Sequence, residues 1–312
     1  MVVIDVPPPT RAAQSDGSLD RHGGSVETAQ DNGRGGTAAE SELALLAPAP
    51  QPALIEEGPY GLLPKIAADG RTPWRVYARP SDAPDTRPRI AVIITEIGLS
   101  TAASQEAIRR LPPTVTLAID PYAAAPEQWA PKARRARHEI LLSLPLESAE
   151  FPFRDPGPRA LLTSLAVEDN IDRLQRVLSR CSGYVGVVGA FGRRFEGDPG
   201  SLEPVLKFIG ERGLIYVGGA MPQAVRRPEG GDDAVAPRLS VDVWIDDEAT
   251  PHGIDRALAR LEAIARERAV AVGLARNYPL TIARLATWAA LLKEKDIALV
   301  PISAIAERQL PL

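Results

Sequence analysis

From Arg89 onward the sequence predicts an α/β domain built on parallel strands. Short β-branched runs alternate with amphipathic helical stretches as far as the C-terminus, and about eight such runs occur. Strands separated by helix-length segments pair in parallel through crossovers. Composition agrees, because 312 residues at 45% hydrophobic content suffice for one large domain plus an extra segment. A closed barrel and a doubly wound sheet both fit this alternation. In either, functional side chains sit where strands end and loops begin.

The first strand is read at Ile90–Thr95 (IAVIIT), and the helix near Thr101–Leu111 has Ser100 as its cap. Strands at Thr114–Ile119 and Ile140–Leu144 flank a helix around Glu127–Arg137. A longer loop follows, with Phe151-Pro152-Phe153 and Asp155-Pro156-Gly157. In the helix Val167–Ser179 the residues Ile171, Leu174, Val177 and Leu178 recur at helical spacing. Then come strand Tyr184–Val188, helix Leu202–Arg212, and strands Leu214–Val217 and Leu239–Trp244. Helix Asp255–Arg268, strand Val270–Leu274, helix Thr281–Lys293 and strand Ala298–Ile302 complete the series.

The chain ahead of this domain differs in composition. Residues 1–57 are rich in Pro, Gly, Ser, Asp and Ala, cannot bury enough apolar surface to offset their ordering entropy, and read as a disordered segment or linker. Residues 58–87 hold apolar and aromatic side chains between turn formers, and read as an extended strap on the surface of the 88–312 domain. A net charge of -4 gives no basic footprint, so nucleic acid is not an expected partner. Cys181 is the one cysteine, which excludes an internal disulfide and a cysteine metal cluster. No apolar run is long enough for a transmembrane helix, and Met1–Asp5 does not read as a signal peptide. The expected compartment is the cytoplasm, or the periplasm if a signal or anchor lies upstream of Met1.

Four segments carry a family resemblance: VTLAIDPYA (Val115–Ala123), HEILLSLPLE (His138–Glu147), DPGPRALL (Asp155–Leu162) and YVGV with GRRF (Tyr184–Val187, Gly192–Phe195). In this order they resemble the divergent polysaccharide deacetylases, over roughly residues 58–306. The resemblance implies a distorted (β/α) barrel of seven to eight mostly parallel strands. It also implies a divalent metal, usually zinc, held by Asp and His at the strand ends, and a metal-bound water that attacks an N-acetyl carbonyl. The implied partner is a polysaccharide or peptidoglycan-type glycan of the cell envelope. No protein partner can be named.

The chain departs from that pattern at the ligands. Thr95-Glu96 stands where the family has paired aspartates, and Ser143 where it has a histidine. Val188-Gly189-Ala190, Gly218-Gly219 and Gly273-Leu274-Ala275 replace its Asn-Asn-His, Asp-Ser and Gly-His-Pro segments. The matches that remain are Glu147, Arg194, Asp242, Asp246, Glu248, Tyr278 and Pro279, with His138 ahead of its strand. The expectation is therefore a catalytically degenerate, glycan-binding or scaffolding relative with no cofactor. The alternative is an active metal-dependent deacetylase with an unusual site built on Glu96, Glu147 and Asp242. The candidate catalytic residues are Glu96 and Asp242, and the candidate substrate-binding residues are Ser143, Glu147, Arg194 and Tyr278. The acids Asp246-Asp247-Glu248 read as a solvated helix cap. Cys181 reads as core packing.

Overall fold

The computed structural model describes residues 46–81, 86–189, 191–219 and 237–309. The expected disorder of residues 1–45 lies outside them. Residues 46–57, which composition alone assigns to the same segment, are folded. Strand β1 (Ile55–Gly58) pairs antiparallel with β2 (Gly61–Pro64), and a single helical turn, α1 (Pro73–Val76), follows. The strap therefore begins ahead of residue 58. Leu54 explains this, because its fully buried side chain gives the segment an apolar anchor.

The domain alternates strand and helix as its periodicity predicts. In order these are β3 (Arg89–Ile97), α2 (Thr101–Arg110), β4 (Thr116–Ile119), α3 (Pro126–Arg135), β5 (Ile140–Ser143) and α4 (Val167–Leu178). Next come β6 (Gly186–Gly189), α5 (Arg193–Glu196), α6 (Pro199–Glu211), β7 (Ile215–Gly218), β8 (Arg238–Ser240) and β9 (Val243–Trp244). The last are α7 (Pro251–Arg268), β10 (Val270–Ala275), α8 (Pro279–Leu291), β11 (Ala298–Leu299) and α9 (Ile302–Gln309). Ser100 caps α2 as expected, its side chain accepting from the Ala103 N–H.

The sheet runs β8-β7-β6-β5-β4-β3-β10-β9, with β11 beside the start of β3, and these pairs are all parallel. The first and last strands of that path are consecutive in the chain. The single strand expected at Leu239–Trp244 is in fact two, so one short segment pairs with β7 through its first half and with β10 through its second. This curls the sheet into a distorted barrel.

Period-2 alternation sorts the strand residues into two cores. Ile90, Val92 and Ile94 of β3 face the outer helices, in a cluster with Ala107, Trp129, Leu174 and Leu285. Ala91 and Ile93 face the interior, with Ala118, Leu141, Val217, Val272 and Leu274 of the neighbouring strands. Leu54, Trp74 and Tyr77 of the strap and Ile302 and Ile305 of α9 join this interior cluster. The Trp74 N–H donates to Gly213 O just before β7, so the strap closes the end where strands begin. That end forms a floor, and the other forms an open mouth.

Candidate functional site

The mouth is a cleft of about 520 Å³ lined from the C-terminal ends of the strands. The alternation that builds the interior also supplies the lining. Ala91 and Ile93 are followed two residues later by Thr95, Ala118 by Asp120, Leu141 by Ser143, Val217 by Gly219 and Leu274 by Arg276, and each of these second residues lines the cleft. Tyr122, Phe191 and Trp244 add aromatic surface, with the Phe191 and Trp244 ring centroids 4.5 Å apart.

Glu96 breaks the alternation. It follows the interior-facing Thr95 and would ordinarily turn outward. A register irregularity between Ile94 and Ile97 and a φ of 65° re-aim it into the cleft. For a residue other than glycine this backbone region stores roughly 1 kcal/mol or more of strain. Partial burial raises the carboxyl's pKa above the usual carboxylate range, the Arg276 guanidinium opposes the rise, and the charges of Asp120 and Asp246 add to it. The closest charge contact is Arg276 Nε, 3.8 Å from Oε1. Asp120 is also raised by burial, and the Tyr122 N–H donates to its Oδ1 at 2.8 Å.

Arg276 is held between carboxylates. Its Nη1 lies 3.7 Å from Asp246 Oδ1, its backbone N–H donates to Asp246 Oδ2 at 2.8 Å, and its guanidinium stacks over Phe191 and Tyr278. Asp246 is fully buried, with a pKa raised by desolvation; Thr281 Oγ1 donates to its Oδ2, and Oδ1 has no hydrogen-bond partner. This corrects the cap reading for Asp246, while Asp247 and Glu248 are solvent-exposed as expected; the residue that caps α7 is Thr250, whose side chain accepts from the Gly253 N–H. Ser143 lines the cleft as a substrate-binding residue would, and its Oγ is shut from solvent without a hydrogen-bond partner.

Asp242 is not in the cleft. At the break between β8 and β9 its Oδ2 accepts from the Val272 N–H, halfway down β10, and its Oδ1 lies 3.5 Å from Arg268 at the end of α7. It faces the strand-start end, so it cannot act with Glu96. Glu147 is buried just outside the cleft lining, where it ties loops together. Thr163 donates to it through N–H and Oγ1 at 2.6 and 2.7 Å, and Arg194 Nε stands 3.2 Å away. Glu147 and Arg194 thus neutralise each other, and neither lines the cleft. Tyr278 is partly exposed and supports Arg276 from outside the lining. The site combining Glu96, Glu147 and Asp242 is therefore not assembled.

Asp120 and Arg276 were not among the candidates. Each is the next interior-facing position after a strand's last apolar one, a signal that a search for family ligands passes over. His138 is buried at the start of β5, with Nδ1 and Nε2 against the carbonyls of Val115 and Ile108. Burial pushes the Cys181 thiol up to about 12, as suits a packed core residue.

The residues present do not fit the metal site that the resemblance implies. Among the described residues no three His, Cys, Asp or Glu side chains come together as a metal would require. Thr95 Oγ1 is committed to Ala275 O at 3.1 Å, Leu274 is fully buried in the apolar interior, and Gly218 has no donor side chain. Ala190 lies outside the described residues.

The profile of the divergent polysaccharide deacetylase family matches residues 92–306, and the chain belongs to that family. An uncharacterized protein of Agrobacterium tumefaciens C58 is 36% identical, with a TM-score of 0.73 over 78% of this chain and 99% of its own. A CE4 family pseudoenzyme of Bacillus anthracis is 12% identical, with a TM-score of 0.41 over 71% of this chain and 66% of its own. No curated protein matches.

Proposed function

We propose that this family member binds glycans and has given up the metal-dependent reaction. One observation carries the reading: a cleft stands at the strand ends and is lined with aromatic side chains, while among the described residues the donors a metal needs do not converge. The tilted pair of Phe191 and Trp244 offers an apolar face to a sugar ring, and Glu96 and Asp120 offer hydrogen-bonding groups to its substituents. The proposed ligand is a polysaccharide or peptidoglycan-type glycan of the cell envelope. Among the described residues no helix is long and apolar enough to cross a membrane.

Elemental analysis, acetate release and calorimetric glycan titration test the reading together. The expected outcome is no stoichiometric metal, no acetate release, and binding that weakens about tenfold in Trp244→Ala, equivalent to about 1.4 kcal/mol. Stoichiometric zinc, with acetate release abolished by Glu96→Ala, would overturn it.

A further inference from the structure

The charge around Glu96 is unbalanced. Glu96 feels the negative charges of Asp120 and Asp246, and the guanidinium that meets Glu96 and Asp246 is that of Arg276. Among the described residues that meet Glu96 in this way, one positive charge stands against three negative ones at the β3 and β4 side of the mouth. Hydrogen bonding is short as well. Asp246 is supplied by Arg276 and Thr281, and Asp120 by one backbone N–H, yet among the described residues Glu96 has only a guanidinium beyond hydrogen-bond range. Glu96 and Asp120 both line the cleft and are partly desolvated. Carboxylates taken from water without donors are costly until a cation meets them.

Two further features mark this part of the mouth as built for a ligand. The Ser143 hydroxyl is buried and unpartnered in the same lining. The backbone at Glu96 is held in the left-handed region, which aims the carboxylate inward. Arg154 and Arg193 also line the cleft, but they are solvent-exposed; Arg154 comes from the loop after β5, with the acids Glu150 and Asp155 close by in sequence, and Arg193 opens α5.

From this we infer that the cleft reads a free amino group on the glycan, with Glu96 and Asp120 receiving a sugar ammonium while the aromatic pair supports the ring. The inference rests on the glycan-binding reading and names its ligand class. An ammonium offers three donors and a positive charge, which both carboxylates lack. An N-acetyl group in the same place offers one N–H, no charge, and a carbonyl oxygen turned toward anions. The cleft therefore favours the de-N-acetylated sugar over the acetylated one, the reverse of what a deacetylase substrate site needs.

Three hexasaccharides separate the outcomes in calorimetric or NMR titrations of the full chain. These are a glucosamine hexamer, an N-acetylglucosamine hexamer and the neutral glucose hexamer of cellulose. The amine hexamer should bind at least tenfold more tightly than the other two. Glu96→Gln and Asp120→Asn, each checked for a wild-type thermal transition, should erase that preference, bringing the amine hexamer's affinity down to that of the neutral one measured on the same variant. Equal affinity for all three, or preference for the acetylated hexamer, would overturn the amine assignment and leave glycan binding standing. Failure of all three to bind would overturn both.

Discussion

The two ends of the barrel each hold a glutamate out of water, and they treat it oppositely. At the floor Glu139 is fully buried, and desolvation raises its pKa. It accepts from the N–H groups of Arg79 and Ser303 and from the Ser303 hydroxyl, so strap, β5 and α9 meet at one carboxyl. At the mouth Glu96 is less buried, sits on a strained backbone and has no comparable donors among the described residues. The floor shows how a chain satisfies a buried carboxyl that it uses for stability. The mouth shows one left unsatisfied, although Thr95 and Thr281 beside it have found partners. Sharing an end of the barrel with a cleft is what separates the two cases.

Truncation should separate them most. Glu139→Ala strands three buried donors and should lower unfolding stability by about 3 kcal/mol in denaturant titrations. Asp120→Ala at the mouth should cost less than ~1 kcal/mol. Equal losses would make the mouth as structural as the floor. A smaller effect of opposite sign is expected from Glu96→Gly, which removes the side chain from a left-handed backbone. Chemical denaturation should show a gain of about 0.5–1 kcal/mol after glycine's own entropy cost is set against the released strain. A loss there would mean that Glu96 stabilises the fold.

The smallest effect is on pH dependence. Glu96 has a raised pKa in the folded chain, so the folded state holds a proton that the unfolded state releases at lower pH. Its contribution to stability is present at low pH and is lost as pH rises from the ordinary carboxylate range through the folded value. Glu96→Gln should therefore gain stability relative to wild type between acid and neutral pH, by a few degrees in thermal melts at most. A parallel pair of pH profiles would remove desolvation of Glu96 from the comparison.

The floor and the frame were more legible in the sequence than the mouth. The strands could be read because β-branched runs such as IAVIIT recur at crossover spacing, and parallel pairing follows from that alone. The position of Asp242 was not legible. A run that looks continuous from Leu239 to Trp244 breaks at Val241-Asp242, and the break turns Asp242 toward the strand starts. Glu147 matched a family position, yet what fixes its role is Thr163, sixteen residues away and brought close by the loop fold. Asp120 and Arg276 were within reach of the period-2 rule. Glu96 was found as a candidate because it stands at a strand end, but its inward aim depends on a backbone angle that no side-chain pattern encodes.

The apolar interior also bears on how a histidine-based metal site could be built at this end of the barrel. Leu274 stands at the top of that column, fully buried among Ile93, Val217 and Val272. A histidine there would bury an unpartnered imidazole at a cost of roughly 1–3 kcal/mol, with no metal to bind until further ligands stood at Thr95, Ser143 and Gly218. Each such step is a loss by itself, and any gain waits on the last of them. The packing of the barrel thus acts as a ratchet against a histidine-based metal site, without selection against it.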